Sequence, residues 1–311
     1  MIDLYPNNFF YEVKSSFTII RGKDAIKHLE RVLTTKIKNI SYGSKHESLL
    51  CDLNGRIIDY LTAYMIKNEL LVVSTSIKGD EVRRILSTGI PWNEDTIVLN
   101  ADESIRKIII SDEKIEKVFA KENDSILELN DYEWLESGDN IISRNNRHKI
   151  SSLEILMPKN DMYVIKEKLI ENDFKMIKDN EWNKYRIYVG IINFKEIEHR
   201  IPFDVGMKEL VKMDKGCYPG QEIHARLESR GKIRKTLVKL SCEKFLREDE
   251  YKIENGGKIV ITTAYDGGQS KSKFFGIIPI KYLELGKIVL NNGITLAIED
   301  VVSFQSLNFH H

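Results

Sequence analysis

Lys215-Gly216-Cys217-Tyr218-Pro219-Gly220-Gln221-Glu222 is the stretch on which the reading of this chain turns. Gly216 and Gly220 permit tight backbone turns, and Pro219 between them fixes one φ. A loop built this way presents a thiol, a phenol and a carboxylate within a few residues. Asp214, Lys215 and Glu222 surround Cys217 with charge, and a lysine beside a thiol lowers its pKa and increases its nucleophilicity. The residues alone leave two readings open. Cys217 is a reactive thiol, or it is a small core residue at a turn, the usual state of an unpaired cysteine.

Downstream of the loop lies the one charge concentration of the chain: Arg226, Arg230, Lys232, Arg234, Lys235 and Lys239, opposed only by Glu228. Such a run is a solvated face or a contact for a polyanion such as RNA or an acidic tail. Across all 311 residues, 47 Lys and Arg balance 47 Asp and Glu. That zero balance removes the simple electrostatic case for a dedicated nucleic-acid binder. No apolar run approaches the ~20 residues that cross a bilayer. The start, Met1 to Pro6, lacks the basic and apolar stretches of a signal peptide, so a cytoplasmic protein without membrane contact is expected. Cys51, Cys217 and Cys242 are odd in number, far apart, and in no ligand spacing with the seven histidines, so neither a disulfide framework nor a metal site is expected. His310-His311 is excluded from any site. No dinucleotide, phosphate-loop, zincin or nucleophile-elbow motif occurs.

The length suits two or three domains. Short β-branched runs predict strands over 49–52, 57–64, 70–73 and 105–110, and again over 236–240, 258–263, 274–278 and 287–290. Asn54-Gly55 between the first two is a two-residue hairpin signal. Apolar spacing predicts helices over 24–33, 78–86 and 160–172, and residues 112–149 read as short strands and loops. Strands outnumber helices and hairpins follow one another, so the class is α+β with antiparallel sheets and flanking helices. A boundary is expected near 230, with 1–230 as one region and 231–311 as a β-rich module.

The octapeptide resembles, residue for residue, the signature K-G-C-[FY]-x-G-Q-E of the YgfZ branch of the YgfZ/GcvT family, the relatives of the glycine-cleavage T-protein. The segments Ile223–Leu227 and Gly231–Leu237 resemble the continuation of that signature. Further matches run in the expected order from about 17 to 280. Ile20–Ala25 is similar to a G-x-D-A helix start, and Thr34-Thr35-Lys36-Ile37 to a degraded T-N-D-V. Asp52–Asp59 is similar to an L-N-x-x-G-R-I hairpin, and Leu153–Pro158 to Y-E-I-x-x-P. Tyr185–Ile191 stands where the family has L-R-L-E-A-G-I, and Ile259–Ala264 resembles v-T-S-A of a C-terminal barrel.

The resemblance implies a T-protein-like, three-lobed arrangement around a central folate hole. Two interwoven α+β lobes come from 1–230 and a β-barrel from 231–311. It implies a reduced folate, tetrahydrofolate or a derivative, as cofactor. Glu154 is then the acceptor for the donor-rich pterin edge, a task suited to a carboxylate, with Arg186, Tyr188, Arg226 and Asp59 as further cofactor contacts. Asp59 stands where T-proteins carry an acidic pair, and Tyr60 replaces the second acid; Tyr188 replaces the glutamate of R-L-E-A-G. The basic run could hold a polyglutamate tail. Cys217 is the working residue, tuned by Lys215, and Asp59 is a candidate catalytic acid. The role implied is support of iron–sulfur client enzymes and of tRNA modification. Two rivals share the scaffold: a tetrahydrofolate-dependent aminomethyl- or methyltransferase, and a non-catalytic module that binds a protein.

Overall fold

A computed structural model describes residues 8–111, 124–148, 150–231 and 233–304. The N-terminal hexapeptide, Lys232 and His310-His311 lie outside the described residues. The chain divides into two compact units. One comprises Met1–Leu50, Asp59–Lys178 and Asp214–Tyr218; the other comprises Cys51–Ile58, Asp179–Met213 and Pro219–His311. The octapeptide therefore passes from one unit to the other between Tyr218 and Pro219.

A five-stranded sheet, belonging to the first unit except for Cys51, Ile57 and Ile58, runs in the order Lys45–Cys51, Ile57–Ile66, Glu69–Ser74, Ser16–Arg21, Ile97–Asn100. A six-stranded sheet runs Lys175–Met176, Phe9–Val13, Ile105–Ser111, Ser152–Pro158, Asn140–Asn145, Trp134–Ser137. Its pairs are antiparallel except Lys175–Met176, which lies parallel to Phe9–Val13. Period-two alternation decides what each face carries. Leu153, Ile155 and Met157 share a buried cluster with Ile108, Ile110 and the helix residues Ile165 and Leu169. The intervening Leu156 joins Trp134 and Ile141 against Phe17, Tyr64, Leu71 and Val73 of the five-stranded sheet. The two sheets thus pack face to face, and Glu154, on the Leu156 side of its strand, is carried to the margin of that packing.

The expected helices form over Ala25–Val32 and Gly79–Ser87, and the third begins as a 3-10 turn over Lys159–Asp161 before Met162–Glu171. The turn expected at Asn54-Gly55 is a longer loop. Asp52 N–H donates to the Arg56 carbonyl at 2.9 Å, and the Asp52 carboxylate accepts from the N–H groups of Asn54 and Arg56. The carboxylate organises three loop residues instead of two, with Gly55 at φ +69°.

The second unit holds an antiparallel sheet in the order Glu250–Lys252, Lys258–Tyr265, Ser272–Pro279, Lys235–Cys242, Thr295–Val301, Lys287–Val289. Register shifts at Lys239/Leu240 and Ile261/Thr263 mark two bulges. Bulges bend strands and increase twist, so the sheet curls like half of a barrel wall. Leu240, Ile259, Phe274, Ile288 and Leu296 fill its concavity. Helices Asp179–Val189 and Gln221–Arg230 belong to this unit, and hydrophobic periodicity signalled neither. Gln221–Arg230 buries His224 alone among its described side chains, so it has almost no apolar stripe to read. Among the described residues no helix is long and apolar enough to cross a membrane.

Candidate functional site

Four strands of the first unit converge polar side chains where an all-apolar core would otherwise continue. Lys45 and Glu47 sit two apart on one strand, and Tyr60 and Tyr64 four apart on the next, so each pair shares a face. Lys107 and Glu154 come from adjacent strands of the other sheet, where Lys107 is the register partner of Leu156. Tyr60 Oη donates to Glu47 Oε1 at 2.5 Å, and Arg147, from the segment after Asn140–Asn145, pairs with Glu47 Oε2. Tyr64 Oη donates to Glu154 Oε2 at 3.3 Å, and Lys107 Nζ lies 3.0 Å from the same oxygen. Each carboxylate thus has one tyrosine and one cation.

Burial works against the charge on Glu154, yet the ammonium groups of Lys107 and Lys45 overcome it and hold the carboxyl at a pKa of about 2. Burial pushes the Lys45 ammonium down, opposed by Glu154 and Glu47. The side chains of Glu154 and Lys107 keep 13% and 11% of their surface, so the cluster still meets solvent. Its chemistry is that of a charged, donor- and acceptor-rich recognition site.

Lys215 and Cys217 share one loop and point to different surroundings. Cys217 is exposed. The Lys215 side chain is fully buried and its ammonium donates to the carbonyls of Glu30, Leu33 and Thr35 at 2.7, 2.6 and 3.0 Å. Two of these carbonyls belong to the last turn and exit of helix Ala25–Val32, where a cation also complements the helix dipole. Lys36 pairs with Asp214 at 2.5 Å beside it. Lys215 is therefore an anchor for the loop, with all three donors used on backbone.

Asp59 is 0% exposed. Its carboxylate accepts from the N–H groups of Tyr60, Thr75 and Ser76 and from the Ser76 hydroxyl, the last at 2.5 Å. Burial raises its pKa to about 6 against those bonds. The alternation of the strand turns Asp59 away from the face that carries Tyr60 to Glu47. The candidate catalytic acid is thus engaged by backbone N–H groups and the Ser76 hydroxyl.

The remaining expected contacts belong to the second unit. Arg186 is 1% exposed and uses all five N–H donors within the chain, on Asn183, Ile191, Thr263 and both oxygens of Glu196. None remains for a ligand. Thr263 Oγ1 in turn donates to Glu196 Oε1 at 2.6 Å. Tyr188 is half exposed, and its carbonyl accepts from Lys239 Nζ at 2.8 Å. Lys239 is thus buried, and the basic run does not continue through it as one solvated face. Arg226 is exposed on helix Gln221–Arg230. The structure brings Glu154 together with Lys45, Glu47, Tyr60, Tyr64, Lys107 and Arg147, of which sequence reading singled out only Glu154 as a ligand group. The Lys-x-Glu and Tyr-x-x-x-Tyr spacings on consecutive strands were the available signal.

The class defined by this architecture is that of the glycine-cleavage aminomethyltransferases, in fold. The crystal structure of glycine cleavage system aminomethyltransferase T from Bartonella henselae matches with a TM-score of 0.82, over 98% of this chain and 89% of that one, at 16% identity. In sequence the chain is similar to an aminomethyltransferase of Caldanaerobacter subterraneus subsp. tengcongensis, 22% identical over 295 residues, covering 88% of this chain and 78% of the relative. It is also similar to the tRNA-modifying protein YgfZ of Hamiltonella defensa, 24% identical over 246 residues, covering 71% and 66%. No protein-family model matches the chain.

Proposed function

We propose that the chain is a YgfZ-like, cytoplasmic folate-binding protein that supports iron–sulfur enzymes, tRNA-modifying enzymes among them, through Cys217. In this reading the folate-binding part is 1–230 and the barrel module 231–311. The observation that carries the folate reading is Glu154. Its carboxylate stays ionised in a buried setting, and only Oε2 has a partner among the described residues. Oε1 is left to accept from a ligand N–H edge. A reduced folate supplies, when bound, nitrogens that carry one-carbon groups. The thiol part of the reading rests on Cys217 being exposed on a loop that Lys215 anchors.

Anaerobic calorimetry with tetrahydrofolate and 5-formyltetrahydrofolate tests the first part. Micromolar binding, about −8 kcal/mol, that is lost in Glu154→Ala supports it, and no binding to the wild type refutes it. For the second part, Cys217→Ser should fail to sustain iron–sulfur client activity in cells lacking the protein. Full support by that variant would reduce the cysteine to a structural role.

The similarity to proteins named aminomethyltransferase favours a second reading, transfer of a one-carbon unit to tetrahydrofolate with Asp59 steadying the substrate amine. The burial of Asp59 under four hydrogen bonds counts against it. Turnover abolished in a folded Asp59→Asn protein would restore it.

A further inference from the structure

Lys45 is 4% exposed, and among the described residues its ammonium makes one hydrogen bond, to the Arg144 carbonyl at 3.0 Å, and no ion pair. A buried ammonium with two unfilled N–H bonds is costly, because those donors have left water without a partner. Its position is fixed by the sheet register. Arg144 is the register partner of Leu153, the residue before Glu154, and Glu154 is the carboxylate that acts most strongly on the Lys45 ammonium, with no direct ion pair between the two. Glu154 Oε1 is the complementary acceptor, unfilled among the described residues. The cluster also sets three cations, Lys45, Lys107 and Arg147, against Glu47 and Glu154, with Asp131 3.8 Å from Arg147. Lys107 and Arg147 are each matched to a carboxylate, which leaves Lys45, among the described residues, as the cation of the cluster with one hydrogen bond and no carboxylate partner.

An unfilled donor next to an unfilled acceptor matches a ligand edge that carries the reverse pair, a carbonyl oxygen next to N–H. We infer that Lys45 takes the ring oxygen of a 2-amino-4-oxo heterocycle whose N–H edge is taken by Glu154, and that Lys45 thereby selects the 4-oxo ring over its 4-amino analogue. The inference rests on the folate reading above and adds a specificity residue to it. In a 4-amino ring the oxygen is replaced by a donor, which would face the ammonium and leave both unpaired. One such mismatch in a desolvated site weakens binding by tenfold or more.

Tetrahydrofolate and tetrahydroaminopterin differ in the 4-substituent and in the N3 hydrogen that goes with it; calorimetry on the full chain compares them, and the Lys45 variants isolate the share that Lys45 contributes. The wild type should bind tetrahydrofolate at least tenfold more tightly. In Lys45→Met the tetrahydrofolate affinity should fall and the ratio should shrink by threefold or more, the remainder being the N3–H that Glu154 reads. Lys45→Gln is measured in parallel with the same direction expected, and melting curves establish that each variant is folded. Equal wild-type affinities overturn the inference even if neither variant folds, as does a ratio unchanged in a folded variant. No binding of either compound to the wild type removes the folate reading and this inference with it. Binding of both compounds with no discrimination removes the inference alone.

Discussion

His224 donates from Nε2 to the carbonyl of Gly55 at 2.8 Å, tying the helix Gln221–Arg230, which begins within the octapeptide, to the loop Asp52–Arg56. A carbonyl only accepts, so the Nε2 nitrogen carries the proton, and burial keeps the imidazole pKa low. Around this bond the backbone is close. A Cβ on Gly220 would lie 2.5 Å from Gly55 Cα and 2.6 Å from the Asp52 carbonyl oxygen, and one on Gly55 would lie 2.8 Å from His224 Nε2. The two glycines of two distant motifs are there for one contact.

Gly220→Ala should therefore cost about 3 kcal/mol or more. It combines a φ of +81° with a backbone clash that no side-chain rotation relieves. Gly216→Ala, in open space, should change stability by under about 0.5 kcal/mol. Urea unfolding of the two variants compares them directly, and equal losses would mean that the contact carries no weight.

Lys215→Met should lower stability by about 3 kcal/mol, because three buried carbonyls lose their donor. Hydrogen exchange should quicken at residues 30–37 and 214–218. Lys215→Arg should not restore either property, since a planar fork cannot converge on three carbonyls as an ammonium can. Full rescue by arginine would show that charge alone matters at this position.

Asp59 makes stability depend on pH in a definite sense. Its folded pKa of about 6 lies above the ordinary 3.8, so the native state holds the proton more tightly than the unfolded chain does. The stabilisation is complete below about 3.8 and is lost as pH rises through about 6, a span worth about 3 kcal/mol. Buried histidines titrate nearby in the opposite sense, so the readout is the difference between wild type and Asp59→Asn. The melting temperature of the wild type relative to the variant should be higher at pH 4 than at pH 8. A difference that does not change with pH would place the Asp59 pKa near its ordinary value.

Arg186 and Glu196 form an ion pair at 2.6 Å with almost no exposure on either side. Arg186→Met or Glu196→Gln should each cost 3 to 5 kcal/mol, roughly, by leaving a buried charge or donor unpaired. The double variant should cost clearly less than the sum. Purely additive losses in urea unfolding would show that the two groups do not act as a pair.

Most of the strands were legible because β-branched runs and period-two alternation are local properties, and Ile57–Ile66, Glu69–Ser74, Lys258–Tyr265 and Ser272–Pro279 lie where the apolar runs placed them within two residues. Lys45–Cys51 was seen only at its end, since Lys45, His46 and Glu47 add no apolar or β-branched signal to the run over 49–52. Those same residues are polar because they enter the charged cluster. Glu154 was legible through the resemblance of Leu153–Pro158 to a family segment, whereas its partners come from strands up to 109 residues away, from Lys45 to Glu154. Arg186 shows the converse: a motif position legible as kept, with its burial invisible.

The octapeptide by itself determined the family resemblance and, through it, the fold, because specific short motifs in a fixed order are a linear property of the chain. It also determined that Cys217 sits between residues that turn tightly. Only the tertiary structure decided that Lys215 serves the backbone of helix Ala25–Val32 and not the neighbouring thiol. It likewise decided that Asp59 is spoken for by Thr75 and Ser76, and that Lys45 is buried with donors to spare. The physical reason is the same in each case. Which way a polar side chain turns depends on the groups that replace its water on burial, and those groups come from strands and loops that only folding brings together.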